Sequence, residues 1–205
     1  MSFYADHIFP HVLDLATRPF WPQRKEVIAG CRGRVLEVGI GTGANLPHYG
    51  PDVTEVVGIE PDAAMLDRAR QASRKLPLSF PLTLAVGDAQ ALDFPDESFD
   101  TVLMCLVLCT IPDPLRALRE ARRVLKPGGQ LLFLEHVRSP DQGVAKWQDR
   151  LTPAWKHLAC GCHLNRDTAA TFREAGFRFQ SLRRYDHPKM IRFGAAMIQG
   201  IATRD

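Results

Sequence analysis

The apolar positions of the chain fall into short continuous runs separated by polar or amphipathic stretches. Five of these runs have the length and composition of buried β-strands, and they occupy residues 34–39, 55–60, 82–86, 99–109 and 130–135. Residues 62–76 place apolar positions at helical spacing between two of them. Strands that alternate with helices in this way predict a parallel sheet with right-handed crossovers.

One helix start is marked by its capping residues. Asp113 is followed by Pro114, and this pair predicts the first turn of a helix because aspartate accepts hydrogen bonds from free amide groups and proline fits the first helical position. The proline and glycines of residues 126–129 predict where that helix ends.

The two ends of the chain show different patterns. Residues 1–30 predict two short helices separated by turns that contain prolines. After residue 139, one helix carries Trp147 and Trp155 on one face, and a second helix covers 167–175. The last two apolar runs, 177–185 and 195–202, predict an antiparallel hairpin at the edge of the sheet.

Composition adds mainly exclusions. The chain has 205 residues, 45% of them hydrophobic and 24% charged, which predicts a single globular domain over 1–205. A net charge of +3 is too small for the dense positive field of a nucleic-acid-binding protein, so no nucleic-acid partner is expected. Five cysteines and the lack of a signal peptide predict a reducing, cytoplasmic environment. The longest apolar run, 102–109, is too short to span a membrane, and peripheral contact with a membrane surface stays open.

A glycine-rich turn follows the first predicted strand and, in this interpretation, opens a helix. Gly39, Gly41 and Gly43 alternate with other residues in EVGIGTG at 37–43. Glycines at such a turn let the backbone pass close to a ligand. The turn by itself fits a dinucleotide, a mononucleotide or a sulfonium cofactor. A triphosphate is disfavoured, because the nearest charges are acidic and no Lys-Ser/Thr pair follows.

Three acidic residues lie at the ends of the first three predicted strands. Glu60 follows Gly39 by about twenty residues, where a carboxylate can accept both hydroxyls of a ribose. Asp88 ends the third strand, where it can take the exocyclic amine of an adenine. Glu37 directly precedes the glycines, where it can act on a cationic amino-acid group through a water or a backbone amide. The sequence therefore predicts a ligand site at the carboxyl edge of the sheet.

As a set, these motifs resemble the class I S-adenosylmethionine-dependent methyltransferases. The matching segments, in the order and spacing of that family, are EVGIGTG at 37–43, Glu60, GDA at 87–89, FPDESFDTV at 94–102 and RVLKPGG at 123–129. The resemblance implies an α/β fold, a Rossmann-like three-layer sandwich with a seven-stranded, mostly parallel sheet whose last strand is antiparallel. It divides the domain into an N-terminal helical lid (1–30), a cofactor-binding core (34–137) and acceptor-side helices with a closing hairpin (138–205).

The same resemblance implies the cofactor and its contacts. The cofactor is S-adenosylmethionine, and the product made from it is S-adenosylhomocysteine. The residues implied to bind it are Glu37, Gly39, Gly41, Gly43, Asn45, Glu60, Pro61, Asp88, Ala89 and Leu106.

A narrower resemblance is to the methyltransferase-like thiol S-methyltransferases, which act on small lipophilic thiols. It is carried by LVLCT at 106–110, LEHV at 134–137, WQ at 147–148, PAW at 153–155, GC at 161–162 and Arg166. It implies methyl transfer by in-line attack to a small lipophilic acceptor, most of all a thiol. Alternatives with the same reaction are the amine of phosphatidylethanolamine and a quinone-ring carbon. Alternatives of other classes are a non-catalytic S-adenosylmethionine-binding module and an NAD-linked reductase.

His136 is the leading candidate for a proton acceptor, because it follows the fifth strand at the edge where open sheets bind ligands. The alternative is a histidine that only caps a strand end. A thiol needs little help, since its pKa of about 8.5 leaves a few per cent thiolate near neutral pH. Substrate contacts are predicted for Tyr4, Cys109, Trp147 and Trp155, with core packing as the alternative for the two tryptophans.

No metal is expected from the sequence. Cys160, Cys162 and His163 are close together, but structural zinc requires four well-spaced ligands. The other cysteines are assigned to a turn and to a buried strand, which leaves no second ligand cluster. The expected partner is a small lipophilic acceptor, and the protein is expected to be a monomer or a weak dimer.

Overall fold

A seven-stranded sheet organises the protein, whose structure, a computed structural model, describes Tyr4 and residues 8–204. The strands are β1 (Gly33–Val38), β2 (Val53–Glu60), β3 (Leu82–Val86), β4 (Phe99–Cys105), β5 (Leu125–His136), β6 (Arg178–Asp186) and β7 (Ala196–Thr203). Their order across the sheet is β3-β2-β1-β4-β5-β7-β6. Among the strands of the described residues, β7 alone runs opposite to the others, and it pairs antiparallel with both β5 and β6. The predicted mostly parallel sheet with an antiparallel last strand is confirmed.

Helices cover both faces of this sheet. They are α1 (Phe9–Thr17), α2 (Trp21–Ile28), α3 (Ala63–Ser73), α4 (Pro114–Val124), α5 (Gln142–Leu158) and α6 (Thr168–Glu174). The last four begin after an aspartate whose side chain accepts hydrogen bonds from amides of the first turn. Such a cap contributes about 1 kcal/mol. The start of α4 that Asp113 and Pro114 predict is therefore confirmed, as are the two short helices of the N-terminal region within the described residues.

The helices that the structure describes lack the combination of length and apolar composition that a bilayer crossing requires.

Burial on both faces explains why the central strands are almost continuously apolar. Along β4, Val102 and Met104 enter a core that includes Leu118 of α4. The alternate residue Leu103 enters a second core with Ile28 of α2. Each fully buried side chain of this size contributes about 1.5–3 kcal/mol, so the two cores hold the strand ends in fixed positions.

The prediction that the glycine turn opens an α-helix is wrong. After the turn the chain forms only a short 3₁₀ helix, Leu46–His48, before it enters β2. Glycine and proline are the residues least favourable to an α-helix, and this segment contains both, including Pro47 inside the 3₁₀ turn.

Two predicted strand boundaries also differ from the structure. The apolar run 99–109 is a strand only as far as Cys105, because Leu106 adopts a left-handed conformation with φ +58° and turns the chain. Strand β5 begins at Leu125 rather than at residue 130, and Leu125 is aligned with Phe99 of β4. The next residue of β5 aligned with β4 is Gln130, so residues 126–129 form an irregularity in the strand at which the register shifts.

Candidate active site

The candidate site lies at the carboxyl edge of the sheet, where the strand order reverses between β1 and β4. In open α/β sheets this switch point is where ligands bind. The chain leaves β1 through Gly39 and leaves β4 through Leu106 and Val107, and the two exits touch. A Cβ atom on Gly39 would lie 2.3 Å from Cγ2 of Val107, so a glycine is required there for the two loops to pack.

The glycine turn takes a conformation that other residues rarely adopt. Gly39, Gly41 and Gly43 have φ values of +72°, +57° and +83°, and L-residues pay about 1–2 kcal/mol for left-handed backbone. Among the described residues, an added Cβ at Gly41 would meet only the terminal methyl of Met65, at 3.7 Å. The turn therefore presents bare backbone beside open space, which suits the close approach of a ligand.

Glu60 holds this turn from the end of β2. Its Oε2 accepts a hydrogen bond from the amide of Gly41 at 3.0 Å, and its Oε1 accepts one from the amide of Asp62 at 3.3 Å. Burial raises its pKa, and the two amide hydrogen bonds partly offset that shift. A carboxylate oxygen has more than one acceptor direction, so Glu60 can bind the amides and still accept hydroxyl groups of a ligand.

Asp88, at the end of β3, is in a different environment. It is exposed and accepts hydrogen bonds from the backbone amide and the side-chain amide of Gln90. These hydrogen bonds lower its pKa, so it is ionised at neutral pH. Pro61 follows β2 at the surface, and Ala89 is buried behind Asp88.

Glu37 belongs to a buried hydrogen-bonded group that the sequence only partly revealed. Its oxygens accept hydrogen bonds from Asn45 Nδ2 at 2.7 Å and from the hydroxyl of Tyr49 at 2.6 Å. Asn45 Oδ1 in turn accepts one from Arg24 of α2 at 2.6 Å. Burial raises the pKa of Glu37 to about 7, although the hydrogen bonds and the charge of Arg24 lower it. The resemblance pointed to Glu37 and Asn45; neither the part of Tyr49 nor that of Arg24 was predicted.

On the other side of the switch point, three side chains from distant segments come together. These are Cys109 in the loop after β4, His136 at the end of β5, and Cys162 in the loop after α5. The two sulfurs and an imidazole nitrogen all lie within 4.8 Å of one another, and His136 Nε2 is 3.0 Å from Cys162 Sγ. We call this group the thiol side, and the group formed by Glu37, Glu60, Asp88 and the glycine turn the carboxylate side.

Within the thiol side, protons are shared unevenly. A hydrogen bond from the Cys162 thiol holds the pKa of Cys109 well below its usual range, against the effect of burial, and His136 adds to the lowering. The same hydrogen bond to Cys109 raises the pKa of Cys162, and burial raises it further. Burial lowers the pKa of His136, but the Cys109 sulfur outweighs it, so the net shift is upward. The arrangement favours a Cys109 thiolate beside a protonated imidazole.

The loop that carries Cys109 is fixed at several points. The Glu135 carboxylate accepts hydrogen bonds from the amides of Val107 and Leu108, at 3.0 and 3.2 Å. Arg166 donates to the carbonyl oxygens of Leu108 and Ile111. Glu135 therefore positions this loop, and the described contacts give it no hydrogen bond to the His136 ring.

The residues predicted to contact substrate lie in unlike environments. Trp147 is 58% exposed and lies under the guanidinium of Arg150. Trp155 is partly buried, with its ring edge-on to Phe193 at 5.9 Å. The Tyr4 hydroxyl donates to the carbonyl oxygen of Leu158 in the last turn of α5. The two tryptophans thus differ in exposure, with Trp147 largely in solvent and Trp155 packed against Phe193.

The N-terminal helix also reaches the carboxylate side. Asp14 of α1 accepts a hydrogen bond from the hydroxyl of Thr42 in the glycine turn at 2.6 Å, and His11 lies 3.1 Å from Arg68 of α3. On the opposite flank, burial and the charge of Asp62 raise the pKa of Cys160. The loop after α5 and helix α1 therefore both approach the edge that carries Glu60.

The structure overturns the reason for expecting no metal. That expectation rested on Cys162 having no ligand partners elsewhere in the chain. Cys109 is not part of the core strand, and it lies beside Cys162 and His136. Cys160, in contrast, is not a member of the group.

The chemistry of the carboxylate side fits S-adenosylmethionine, the cofactor implied by the sequence motifs. Glu60 offers acceptors for ribose hydroxyls, and Asp88 is ionised and free to accept from an amine on its exposed side. The bare backbone at Gly41 leaves room beside them, and the Glu37 carboxyl, with its pKa raised to about 7, lies behind the turn.

Comparison with known proteins agrees with this geometry. A family model described as a methyltransferase domain matches residues 36–133. Human thiol S-methyltransferase TMT1B is 36% identical over 167 residues, which cover 78% of this chain and 67% of that protein. The rat protein of the same name is 39% identical over 147 residues, 70% of this chain and 59% of that protein. The chain thus spans 59–67% of the length of these relatives.

Two further matches are to a bacterial lipid methyltransferase and to a solved structure. Phosphatidylethanolamine N-methyltransferase of Cereibacter sphaeroides is 43% identical over 104 residues, or 51% of each chain. Among solved structures, an S-adenosylmethionine-dependent methyltransferase from Thermotoga maritima superposes with a TM-score of 0.66 at 24% identity, covering 97% of this chain and 99% of that one. At that identity the likeness establishes the fold.

Proposed function

Because this chain belongs to the family of S-adenosylmethionine-dependent methyltransferases, we propose that it transfers a methyl group to the sulfur of a small lipophilic thiol. When bound, S-adenosylmethionine supplies a methyl group on a positively charged sulfur. The acceptor sulfur forms a bond to that carbon, the old carbon–sulfur bond breaks, and its electron pair stays on the departing sulfur. The methyl group is activated in advance, so catalysis is mainly positioning, which can lower a barrier by roughly 7–11 kcal/mol.

The choice of a thiol rests on the match to human TMT1B, which covers more of the chain than the matches to enzymes with other acceptors. That match covers 78% of the chain, far more than the 36–133 core that methyltransferases of many kinds share. It therefore includes segments outside the core. The match to the phosphatidylethanolamine enzyme covers 51% of the chain, about the length of the core alone. A ubiquinone/menaquinone biosynthesis C-methyltransferase of Shewanella oneidensis is 32% identical over 69% of the chain, so a quinone-ring carbon stays an alternative acceptor.

On the carboxylate side, this chain's own residues would bind and orient the cofactor. Glu60 would accept the ribose hydroxyls, Asp88 the adenine amine, and Glu37 would act on the cationic amino-acid end through the glycine turn. The α1 region, which touches the turn through Asp14 and Thr42, would act as the lid that excludes water. These assignments also include Pro61, Ala89 and Leu106 as packing contacts.

On the thiol side, the pair formed by Cys109 and His136 would take up the proton that the acceptor gives up, because a thiolate beside a protonated imidazole has one site left for a proton. His136 Nε2 already faces Cys162 at 3.0 Å, and the raised pKa of His136 reflects the Cys109 sulfur beside it. The base is therefore the Cys109–His136 pair, in which the thiolate and the imidazole share one proton. Cys109, Tyr4, Trp147 and Trp155 remain proposed contacts of the acceptor.

An acceptor panel tests the proposal. The protein, supplied with methyl-labelled S-adenosylmethionine, is offered small lipophilic thiols, amines including phosphatidylethanolamine vesicles, and quinols, and the labelled products are identified by mass spectrometry. We expect methyl thioethers. Turnover of an amine or a quinol with no thiol product would sink the thiol assignment. Tight cofactor binding without any turnover would instead favour a non-catalytic binding module.

The amine of phosphatidylethanolamine is the second candidate acceptor, supported by the 43% identity of the bacterial enzyme within the shared part. An amine must lose a proton that it holds more tightly than a thiol does, so its methylation requires a stronger base. The rate with amine acceptors should therefore rise steeply with pH above neutrality, whereas the rate with thiols should level off near the thiol pKa.

A further inference from the structure

The thiol side has the composition of a metal centre rather than of a hydrogen-bonded contact alone. Two sulfurs and one imidazole nitrogen are the ligands that Zn²⁺ prefers, and three protein ligands with one open position are typical of catalytic zinc. The three side chains come from the β4 loop, the end of β5 and the loop after α5. We propose that Cys109, His136 and Cys162 bind one Zn²⁺ ion whose fourth position takes the sulfur of the acceptor thiol.

The distances suit this ion. Zinc bonds of about 2.3 Å to sulfur and about 2.0–2.1 Å to nitrogen place neighbouring ligand atoms of a tetrahedron roughly 3.5–3.8 Å apart. The three atoms here lie within 4.8 Å of one another, and the pair formed by His136 Nε2 and Cys162 Sγ is at 3.0 Å. The observed separations bracket the required ones, so side-chain shifts of about 1 Å or less complete the site.

The surroundings hold the ligands in place. His163 donates its backbone amide to the carbonyl oxygen of Cys109 at 2.9 Å, and Arg166 fixes the carbonyl oxygen of the preceding Leu108. His136 ends β5, where Leu134 and Glu135 pair with β7. Rigid support of this kind is what keeps a metal site assembled before the metal arrives.

The charges of the ion and its three ligands also balance. Binding of the ion releases two protons to solvent, one from the Cys162 thiol and one shared by Cys109 and His136, so two thiolates and a neutral imidazole around Zn²⁺ carry no net charge. When an acceptor thiol enters the fourth position, its S–H bond breaks, a zinc–sulfur bond forms, and the proton leaves to water. This use of the fourth position rests on the proposed function, whereas the metal site itself does not.

Zinc would then replace the imidazole as the means of activating the thiol. A metal-bound thiol is deprotonated at neutral pH without a base. The alternative arrangements of the same atoms are a proton-sharing Cys109–His136 pair without metal and a disulfide between Cys109 and Cys162. Each of these predicts a different result in the following measurements.

Cobalt binding tests the site directly. The full-length protein, reduced and freed of metal with a chelator, is titrated with Co²⁺ under anaerobic conditions, and the thiolate-to-cobalt charge-transfer band is followed in the near ultraviolet. We expect one equivalent of Co²⁺, displaced by one equivalent of Zn²⁺. Absence of the band in protein that still binds S-adenosylmethionine would overturn the site, and two thiols lost to oxidation with no metal bound would support the disulfide.

Matched variants locate the ligands. Cys162→Ser and His136→Gln should each lower the affinity for Zn²⁺ by at least about 100-fold. Residues that only hydrogen-bond to a metal ligand already contribute roughly 10–100-fold to metal affinity, so loss of a ligand itself should cost at least as much. Cys160→Ser, two residues from Cys162, should leave it unchanged. Equal losses in Cys160→Ser and Cys162→Ser would contradict the assignment. If a cysteine variant fails to fold, the stoichiometry of the wild-type protein and the His136→Gln affinity still decide.

Addition of a thiol acceptor separates the two proposals. A shift of the cobalt spectrum on adding the thiol, together with thiol methylation that requires metal, supports both. A metal site that forms while no thiol is methylated leaves the site standing and removes the proposed function. Full-rate methylation of thiols by the chelator-treated protein supports the proposed function and shows that the reaction does not use the metal. The role of base then returns to the Cys109–His136 pair.

Discussion

The carboxylate side and the thiol side are built on different principles, although they face each other across the switch point between β1 and β4. The carboxylate side depends on backbone: Gly39, Gly41 and Gly43 take left-handed conformations, and Glu60 holds the turn through its amides. The thiol side depends on side chains brought from three separate parts of the chain. One side is encoded within a few neighbouring residues, and the other exists only after the fold is complete.

This difference teaches which substitutions should act on one side alone. A change in the glycine turn alters local geometry that every ligand of the carboxylate side shares. A change at Cys109, His136 or Cys162 should leave that geometry intact. Gly39 is the exception, because its missing side chain makes room for Val107 of the other side.

The largest effect is expected for Gly39→Ala, which damages both sides at once. The left-handed backbone costs about 1–2 kcal/mol and the contact with Val107 about 1–3 kcal/mol more, so the free energy of unfolding should fall by roughly 2–5 kcal/mol. Chemical denaturation measures this loss. Gly128→Ala is the matched control, because Gly128 has φ +73° with nothing within 4 Å of an added Cβ. An equal loss in both variants would show that the Val107 contact is irrelevant.

Glu60→Gln should act on the carboxylate side alone. Loss of a charged acceptor costs about 1.5–3 kcal/mol, so affinity for S-adenosylmethionine, measured by calorimetry, should fall about 10–100-fold while Co²⁺ binding to the thiol side is unchanged. Glu55→Gln provides the control, because Glu55 lies on the same strand in a surface ion pair with Arg34. Unchanged affinity in Glu60→Gln would remove the ribose assignment.

Arg166→Lys should act on the thiol side alone and more weakly. Lysine cannot reproduce the two hydrogen bonds to the carbonyl oxygens of Leu108 and Ile111. With about 1–2 kcal/mol lost, kcat/KM for the thiol should fall roughly 5–30-fold with the cofactor affinity unchanged. Arg138→Lys, which alters an ion pair with Asp149 at the surface, should have little effect. A cofactor affinity that falls together with kcat/KM would mean that Arg166 supports the whole edge.

The last effect concerns the pH dependence of stability at Glu37. Its pKa is raised to about 7 in the folded protein, so the folded state binds its proton more tightly than the unfolded state does. The resulting stability is present at low pH and is lost as pH rises through 7. Glu37→Gln has no carboxyl group at this position and so does not lose this stability as pH rises. The Tm of the variant minus that of the wild-type protein should therefore increase by several degrees from about pH 5 to pH 8. A Tm difference that stays constant over this range would contradict the shift.

The predictability of the two sides from sequence follows the same division. Capping aspartates, the glycine turn and the acids at strand ends act over a few residues, and so the helix starts, the strands and the carboxylate side are predictable. Residues 126–129 follow the end of α4 as predicted, but the pairing of Leu125 with Phe99 before them places the start of β5 earlier than the apolar pattern indicates. Arg24 was missed because nothing in a short helix marks which arginine is buried.

The thiol side could not be predicted from the spacing of cysteine and histidine residues along the sequence. Cys109 and Cys162 are separated by two helices and a strand, and the closer sequence neighbours Cys160 and His163 are not members of the group. The sequence did contain one indication of this group, which is where two of its residues lie relative to the predicted strands. Cys109 and His136 each follow a central parallel strand at the carboxyl edge, where side chains from different strands meet.

The left-handed turn at Leu106 makes the position of Cys109 depend on β5. The Leu106 amide is held by the carbonyl oxygen of Leu134, and the next two amides are held by Glu135. All of these partners belong to β5, so the costly backbone conformation at Leu106 is supported only while β5 pairs with β4. The glycine turn, in contrast, is held by Glu60 of β2. Loss of β5 would therefore displace the Cys109 sulfur and leave the support of the glycine turn in place.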